Sequence, residues 1–226
     1  MQNLKLLNTN RLTDLISKRP GEVKLGEKIR VLESSHNIYE QIKDLDVKYV
    51  IFGVKEDLGV RANFGIPGTK ITWKKFLVSF LNIQNNSFIN ANGILVLGHL
   101  SFKTHYKNID SLDINDLRNI TSEIDKSVSY ITQIIIKAKK IPIIVGGGHN
   151  NAYGIIKGSA LALNKKINVL NIDAHADFRP LEGRHSGNGF SYAFHEGFIK
   201  KYYAYGLHEN YISDYFLKQL KANKNH

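Results

Sequence analysis

The sequence predicts an α/β fold, in which a single parallel β-sheet is flanked by helices on both faces. Three observations predict it. Short, β-branched apolar runs alternate with longer stretches of helical spacing. Several of those runs are almost continuously apolar, as strands covered on both faces are. The 226 residues, 42% of them apolar and 23% charged, are enough to build a sizeable core.

Taken in order, positions 1–45 read as a helical extension, with an amphipathic helix near 4–16, and 46–226 as the α/β domain. Strands are expected at 47–54 (VKYVIFGV), 93–97 (GILVL), 141–145 (IPIIV), 167–172 (INVLNI) and 201–205 (KYYAY). Helices are expected at 72–81, 113–138, 152–163 and 212–221. The longest has the clearest pattern, since Ile114, Leu117, Ile120, Ile124, Val128, Ile131 and Ile135 recur every three or four residues. Neither a linker nor an internal repeat interrupts this series.

Composition removes several classes of function. With no cysteine there is no disulfide framework, thiolate nucleophile, Cys-ligated zinc or iron–sulfur cluster, so a metal must rely on His, Asp or Glu. The formal charge of +11 comes from lysines scattered singly or in pairs, which read as solvated faces rather than a nucleic-acid stripe. Apolar runs fall far short of the ~20 residues of a membrane span. The expected location is the cytoplasm, with neither nucleic acid nor membrane as partner.

In such sheets ligands bind beyond the carboxyl ends of the strands, and the unusual residues fall there. Strand 141–145 is followed by Gly146-Gly147-Gly148-His149-Asn150, three glycines that permit a sharp turn and deliver His149 to the mouth of the sheet. By itself this reads more readily as a turn whose His caps the next helix. The next strand runs into Asp173-Ala174-His175-Ala176-Asp177, and alternation in an extended segment puts both carboxylates and the imidazole on one face. Such groups repel or desolvate one another unless a cation sits among them. Oxygen and imidazole donors without thiolate suit Mn²⁺, Fe²⁺ or Zn²⁺, and the carboxylate share leans towards Mn²⁺.

These two segments resemble metal-binding signatures of the ureohydrolases, the arginase, agmatinase and formimidoylglutamase group. The resemblance implies an arginase-like three-layer α/β/α fold, a binuclear Mn²⁺ centre and assembly into homo-oligomers. Asp173 would bridge two metals, His149 and Asp177 would complete one site, and His175 would serve the other. Two further segments are most similar to formimidoylglutamases: 56–68, with its Gly59-Val60-Arg61-Ala62-Asn63 core, and 178–190, with Arg179 and Ser186-Gly187-Asn188-Gly189-Phe190. Where arginases have a catalytic His, this chain has Phe190.

The implied substrate is a small amino-acid-derived amidine, N-formimidoyl-glutamate, split to glutamate and formamide by a metal-bridging hydroxide. Arginase- or agmatinase-type guanidino hydrolysis and a non-catalytic metal-binding protein are the alternatives. A zinc deacetylase is disfavoured because only the single His149 precedes the Asp-x-His segment. Arg61 and Arg179 read either as bidentate holders of a substrate carboxylate or as loop braces. Asn63 reads as a substrate contact or a loop support, and Ser186 with Asn188 as groups orienting the amino-acid end. His185 is the candidate catalytic proton shuttle, or else an exposed loop residue. His208 is placed to line the pocket, and His195 and Glu209 carry less weight.

The resemblance runs from about 47 to 211. Such proteins continue to an Asp-x-Asp that completes the metal site, and no Asp-x-Asp follows Phe190 here. The expectation is a chain truncated at its C-terminus, with further ligands beyond residue 226 and an open sheet edge near 221–226.

Overall fold

The computed structural model describes residues 3–222; positions 223–226 of the tail singled out above lie outside the described residues. In chain order the elements are β1 (Leu4–Leu6), α1 (Thr9–Thr13), α2 (Ile38–Asp44), β2 (Tyr49–Lys55), α3 (Leu58–Arg61), α4 (Thr72–Leu81) and β3 (Ile94–Ser101). There follow α5 (Ile114–Lys137), β4 (Ile141–Val145), α6 (Asn151–Leu163), β5 (Ile167–Ile172), α7 (Gly189–His195), β6 (Ile199–Tyr205) and α8 (Asp214–Ala222). The backbone forms two compact units. The first comprises Met1–Asp57, Pro67–Lys107 and Ile134–Gly147, the second Leu58–Ile66, Asn108–Gln133 and Gly148–His226.

The first unit is built on strands in the order β1-β3-β2-β4. β2 pairs in parallel with β3 and β4, as the alternation of strands and helices predicts. Its five central residues, Val50 to Val54, are all buried, so the unbroken apolar run is covered on both faces. On one face α4 lays down Trp73, Leu77 and Leu81, four residues apart, in a cluster with Ile51 and Val96.

The N-terminal segment departs from the helix expected at 4–16. Residues 4–6 form a strand antiparallel to β3, with Leu4 opposite Leu100 and Leu6 opposite Gly98. Only after Asn8 does a helix begin, because its side-chain oxygen accepts the Arg11 backbone N–H at 3.0 Å and caps α1. Leucines at 4, 7 and 12 serve both conformations, and the edge of β3 decides between them. The sheet is therefore mixed rather than wholly parallel, within the α/β class.

In the second unit β5 and β6 pair in parallel, and their inner face packs on α6 and α7 through Tyr153, Ile156, Phe190, Ala193, Ile199 and Tyr202. The opposite positions stay exposed: Leu170 lies beside Tyr203 and Ile172 beside Tyr205, each between 48% and 73% accessible. Strand β5 thus has one covered face among the described residues, where its apolar run led us to expect two. Helices α2, α3 and α7 were not anticipated; they are short and carry little apolar periodicity.

Candidate metal centre

Strand β4 delivers His149 as its sequence suggested. Gly146 and Gly147 have φ of +82° and +76°, a left-handed turn that glycine enters without the steric penalty of a Cβ. His149 follows after Gly148, ahead of α6. Strand β5 ends at Ile172, so the Asp-Ala-His-Ala-Asp run is a folded-back turn rather than the extended segment invoked above. The Asp173 carboxylate accepts the His175 backbone N–H at 2.9 Å and faces the His175 ring Nδ1 at 3.2 Å. Asp177 has φ of +45°, a strained conformation for a residue bearing a Cβ.

The turn brings three donors together. His149 Nδ1 lies 3.3 Å from Asp173 Oδ2 and in short contact with Asp177 Oδ2. The three ligand atoms all fall within 4.8 Å of one another, the spacing of a set that could share one cation. The hydrogen bond to Asp177 holds His149 above the usual imidazole range despite burial. For Asp173 burial acts in the opposite sense, but hydrogen bonds from His175 keep its carboxyl below the ordinary range. One imidazole and two carboxylates fit Mn²⁺ by donor chemistry, as they fit Fe²⁺ and Zn²⁺. His175 stands outside this triplet, touching Asp173 and lying 4.8 Å, ring centre to ring centre, from Tyr211. Phe190 meets the His149 ring edge-on at 5.4 Å.

Two supports of the centre escaped sequence reading. The Tyr202 hydroxyl donates to the Ala176 carbonyl at 2.6 Å, and Asn171 donates to the His175 carbonyl at 3.2 Å. Asn171 left only an ambiguous signal, being one of two asparagines in INVLNI, of which the fold buries Asn171 and exposes Asn168. Tyr202 left none.

The 179–188 segment sorts its residues into two groups. Facing a cleft of about 540 Å³ shared with His175 and Asp177 are Arg179 and Asn63. Arg179 donates to Asn63 Oδ1 at 2.8 Å and pairs with Glu182 at 3.0 Å, while Asn63 donates to Ser186 Oγ at 3.2 Å. Arg61 is half-buried at the end of α3.

His185 and Asn188, by contrast, are fully buried. Gly187 N–H donates to His185 Nδ1 at 3.1 Å, so the ring proton resides on Nε2, which reaches Glu182 at 3.1 Å. Burial pushes the pKa of His185 down to about 4. The expectation of an accessible proton shuttle is therefore corrected: both ring nitrogens are engaged, and the residue braces its loop.

Asn188 is corrected likewise. Its oxygen accepts from the His185 backbone and Arg184, and its amide donates to the Pro180 and Gly183 carbonyls, leaving nothing for a substrate. His208 binds back to its own loop through Asn210 N–H, and His195 and Glu209 are exposed. Sequence reading also missed Arg184, which is buried, pairs with Asp125 at 2.8 Å and packs against the rings of Tyr153 and Tyr192.

An α/β chain whose turns gather a His-Asp-Asp donor set belongs to a recognisable class, that of α/β proteins with a candidate metal centre. Comparison with known proteins narrows it. The model of the arginase family matches residues 88–224, more than half of the sequence, and the chain belongs to that family.

Among curated relatives, a formimidoylglutamase of Streptococcus gordonii is 29% identical over 161 residues, 69% of this chain and 44% of that protein. The chain thus spans less than half the length of this relative. Two solved structures share the fold: a formiminoglutamase of Trypanosoma cruzi with Mn²⁺ (TM-score 0.66, 19% identity, 91% of this chain and 64% of that one) and the formimidoylglutamase of Bacillus subtilis (0.68, 16%, 92% and 60%). No helix among the described residues is long and apolar enough to cross a membrane.

Proposed function

We propose that the chain carries the catalytic metal centre of a manganese-dependent hydrolase of linear amidine C–N bonds, with N-formimidoyl-glutamate as substrate and glutamate and formamide as products. The observation that carries this reading is the convergence of His149, Asp173 and Asp177 on a common centre. The names of the relatives and the Gly-Val-Arg-x-Asn and Ser-Gly-Asn-Gly-Phe segments support the choice of substrate.

In this reading His149, Asp173 and Asp177 hold one cation, and His175, against Asp173, serves a second. Bound Mn²⁺ supplies Lewis acidity towards the amidine and lowers the pKa of water. Arg179 and Arg61 hold a substrate carboxylate by paired hydrogen bonds, with Asn63 and Ser186 fixing the Arg179 side of the cleft. His185 and Asn188 act as positioning residues that keep Ser186 and Gly187 in place.

The test is calorimetric titration of the 226-residue chain with Mn²⁺, followed by assay of glutamate release from N-formimidoyl-glutamate. Saturable binding is expected, weakened at least about a hundredfold by Asp173→Asn, together with glutamate release. Mn²⁺ binding unchanged in D173N would remove the metal centre from the reading. Urea from arginine or agmatine would move the substrate to a guanidino compound. Binding without turnover of any of the three would favour the non-catalytic alternative.

A further inference from the structure

A second candidate site lies wholly within the first unit, at the carboxyl ends of β2 and β3. It begins with an irregularity in the ladder. Ile51 pairs with Val96 but Phe52 pairs with Gly98, so β3 carries one extra residue. Gly98 takes φ of +128° there, and a Cβ on it would collide with the backbone of Lys5 and Leu6. The bulge sets His99 opposite Gly53. Gly53 has no side chain because the Trp73 ring occupies that space, and Trp73 and His99 come to 6.4 Å, centre to centre. Bulges that re-aim a side chain in this way recur beside functional sites.

The space so formed is a cleft of about 300 Å³. Its lining combines apolar residues, Leu6, Leu7, Leu15, Trp73 and Leu77, with the basic side chains of Arg11, Lys55, Lys74 and His99. Asp14 is the carboxylate in the lining, yet none of Arg11, Lys55, Lys74 and nearby Lys103 forms an ion pair among the described residues. The cationic groups instead act on each other: burial, with Lys103 and Lys74, holds Lys55 below its ordinary pKa. Burial, with Lys55, Arg11, Lys103 and Lys5, pushes His99 down to about 4. A concentration of positive charge that one carboxylate only partly offsets costs stability unless an anion relieves it.

We propose that this cleft binds a small organic anion, its carboxylate or phosphate group held by Lys55, Lys74 and Arg11 and its apolar body lying among Leu15, Leu77 and the small accessible part of the otherwise buried Trp73. The site uses no residue of the metal centre, and its test needs neither Mn²⁺ nor turnover.

Trp73 is the sole tryptophan of the chain, so fluorescence excited at the red edge, where the tyrosines do not absorb, reports on the surroundings of this residue. Benzoate and phenyl phosphate should each change it saturably, whereas the neutral isostere benzamide should not. Lys55→Gln should weaken binding about tenfold and the exposed Lys74→Gln about threefold, with Lys166→Gln, which removes a charge in the second unit, within twofold of the parent. A linear response to both anions would overturn the proposal. So would benzamide binding as tightly as benzoate, inorganic phosphate as tightly as phenyl phosphate, or an equal loss in K166Q and K55Q.

Discussion

The two units reach stability by different means. In the first, β2 and β3 bury unbroken apolar runs, and Phe52, Leu95, Leu97 and Leu81 are fully enclosed. In the second, a charged group is enclosed: Arg184 pairs with Asp125, donates to Asn188, and packs against the rings of two tyrosines. Hydrocarbon packing tolerates approximate shape, whereas a buried charge tolerates no missing partner. A loop that must hold Arg179, Asn63 and Ser186 at a cleft gains from the second kind of constraint, because each hydrogen bond fixes a direction as well as a position.

The sharpest break of this comparison is Asp125→Ala, which leaves the Arg184 guanidinium buried and unpaired. Loss of about 3–5 kcal/mol is expected in urea unfolding, with hydrogen exchange accelerating first in 179–188. The double variant Asp125→Leu/Arg184→Met should recover most of that stability. If D125A costs under ~1 kcal/mol, the polar network is not what holds the second unit. Leu95→Ala in the first unit should cost somewhat less, about 2–4 kcal/mol, as a simple cavity, and its cost should not depend on salt.

Acidification acts next. Buried neutral His185 has a folded pKa near 4 against about 6.5 when unfolded, so between these values the unfolded chain binds the extra proton. Stability is therefore full above about pH 6.5 and falls as the pH drops towards 4, by an amount on the order of 2 kcal/mol for this residue. Thermal midpoints measured from pH 7 to pH 4.5 should fall less in His185→Asn, whose amide keeps an acceptor for Gly187 N–H without titrating. An identical slope in H185N and parent would assign the acid sensitivity elsewhere.

The same contrast explains what the sequence made legible. Apolar periodicity reports which face of an element meets hydrocarbon, so β2, α4 and α5 could be placed to within a residue or two. The Gly-rich turn and the Asp-Ala-His-Ala-Asp run located the donors, because like charges so close in sequence need a shared partner. The manner of convergence was not legible, since it depends on the left-handed Asp177 and on Tyr202, about 25 residues further along. Nor was it legible that His185 and Asn188 face inward: a polar residue in a loop carries no periodicity, and only its partners, Glu182, Gly187 and Arg184, show that it is buried. At the N-terminus the leucines fitted helix and strand alike, and the unpaired edge of β3 decided.

The smallest effect concerns how the helices end. α5 is closed by Lys139 at φ +61°, with its N–H on the Ile136 carbonyl and that of Lys140 on Ile135, and α6 by Asn164 at φ +50°. Both are left-handed closures that glycine makes most easily, and asparagine enters the region at less cost than lysine. Lys139→Gly should therefore stabilise by about 1 kcal/mol and Asn164→Gly by a few tenths, the balance of relieved strain against the added freedom of glycine in the unfolded chain. Parallel urea titrations decide it: a larger gain in N164G than in K139G would mean that the backbone around residue 139 is held by something other than its helix end.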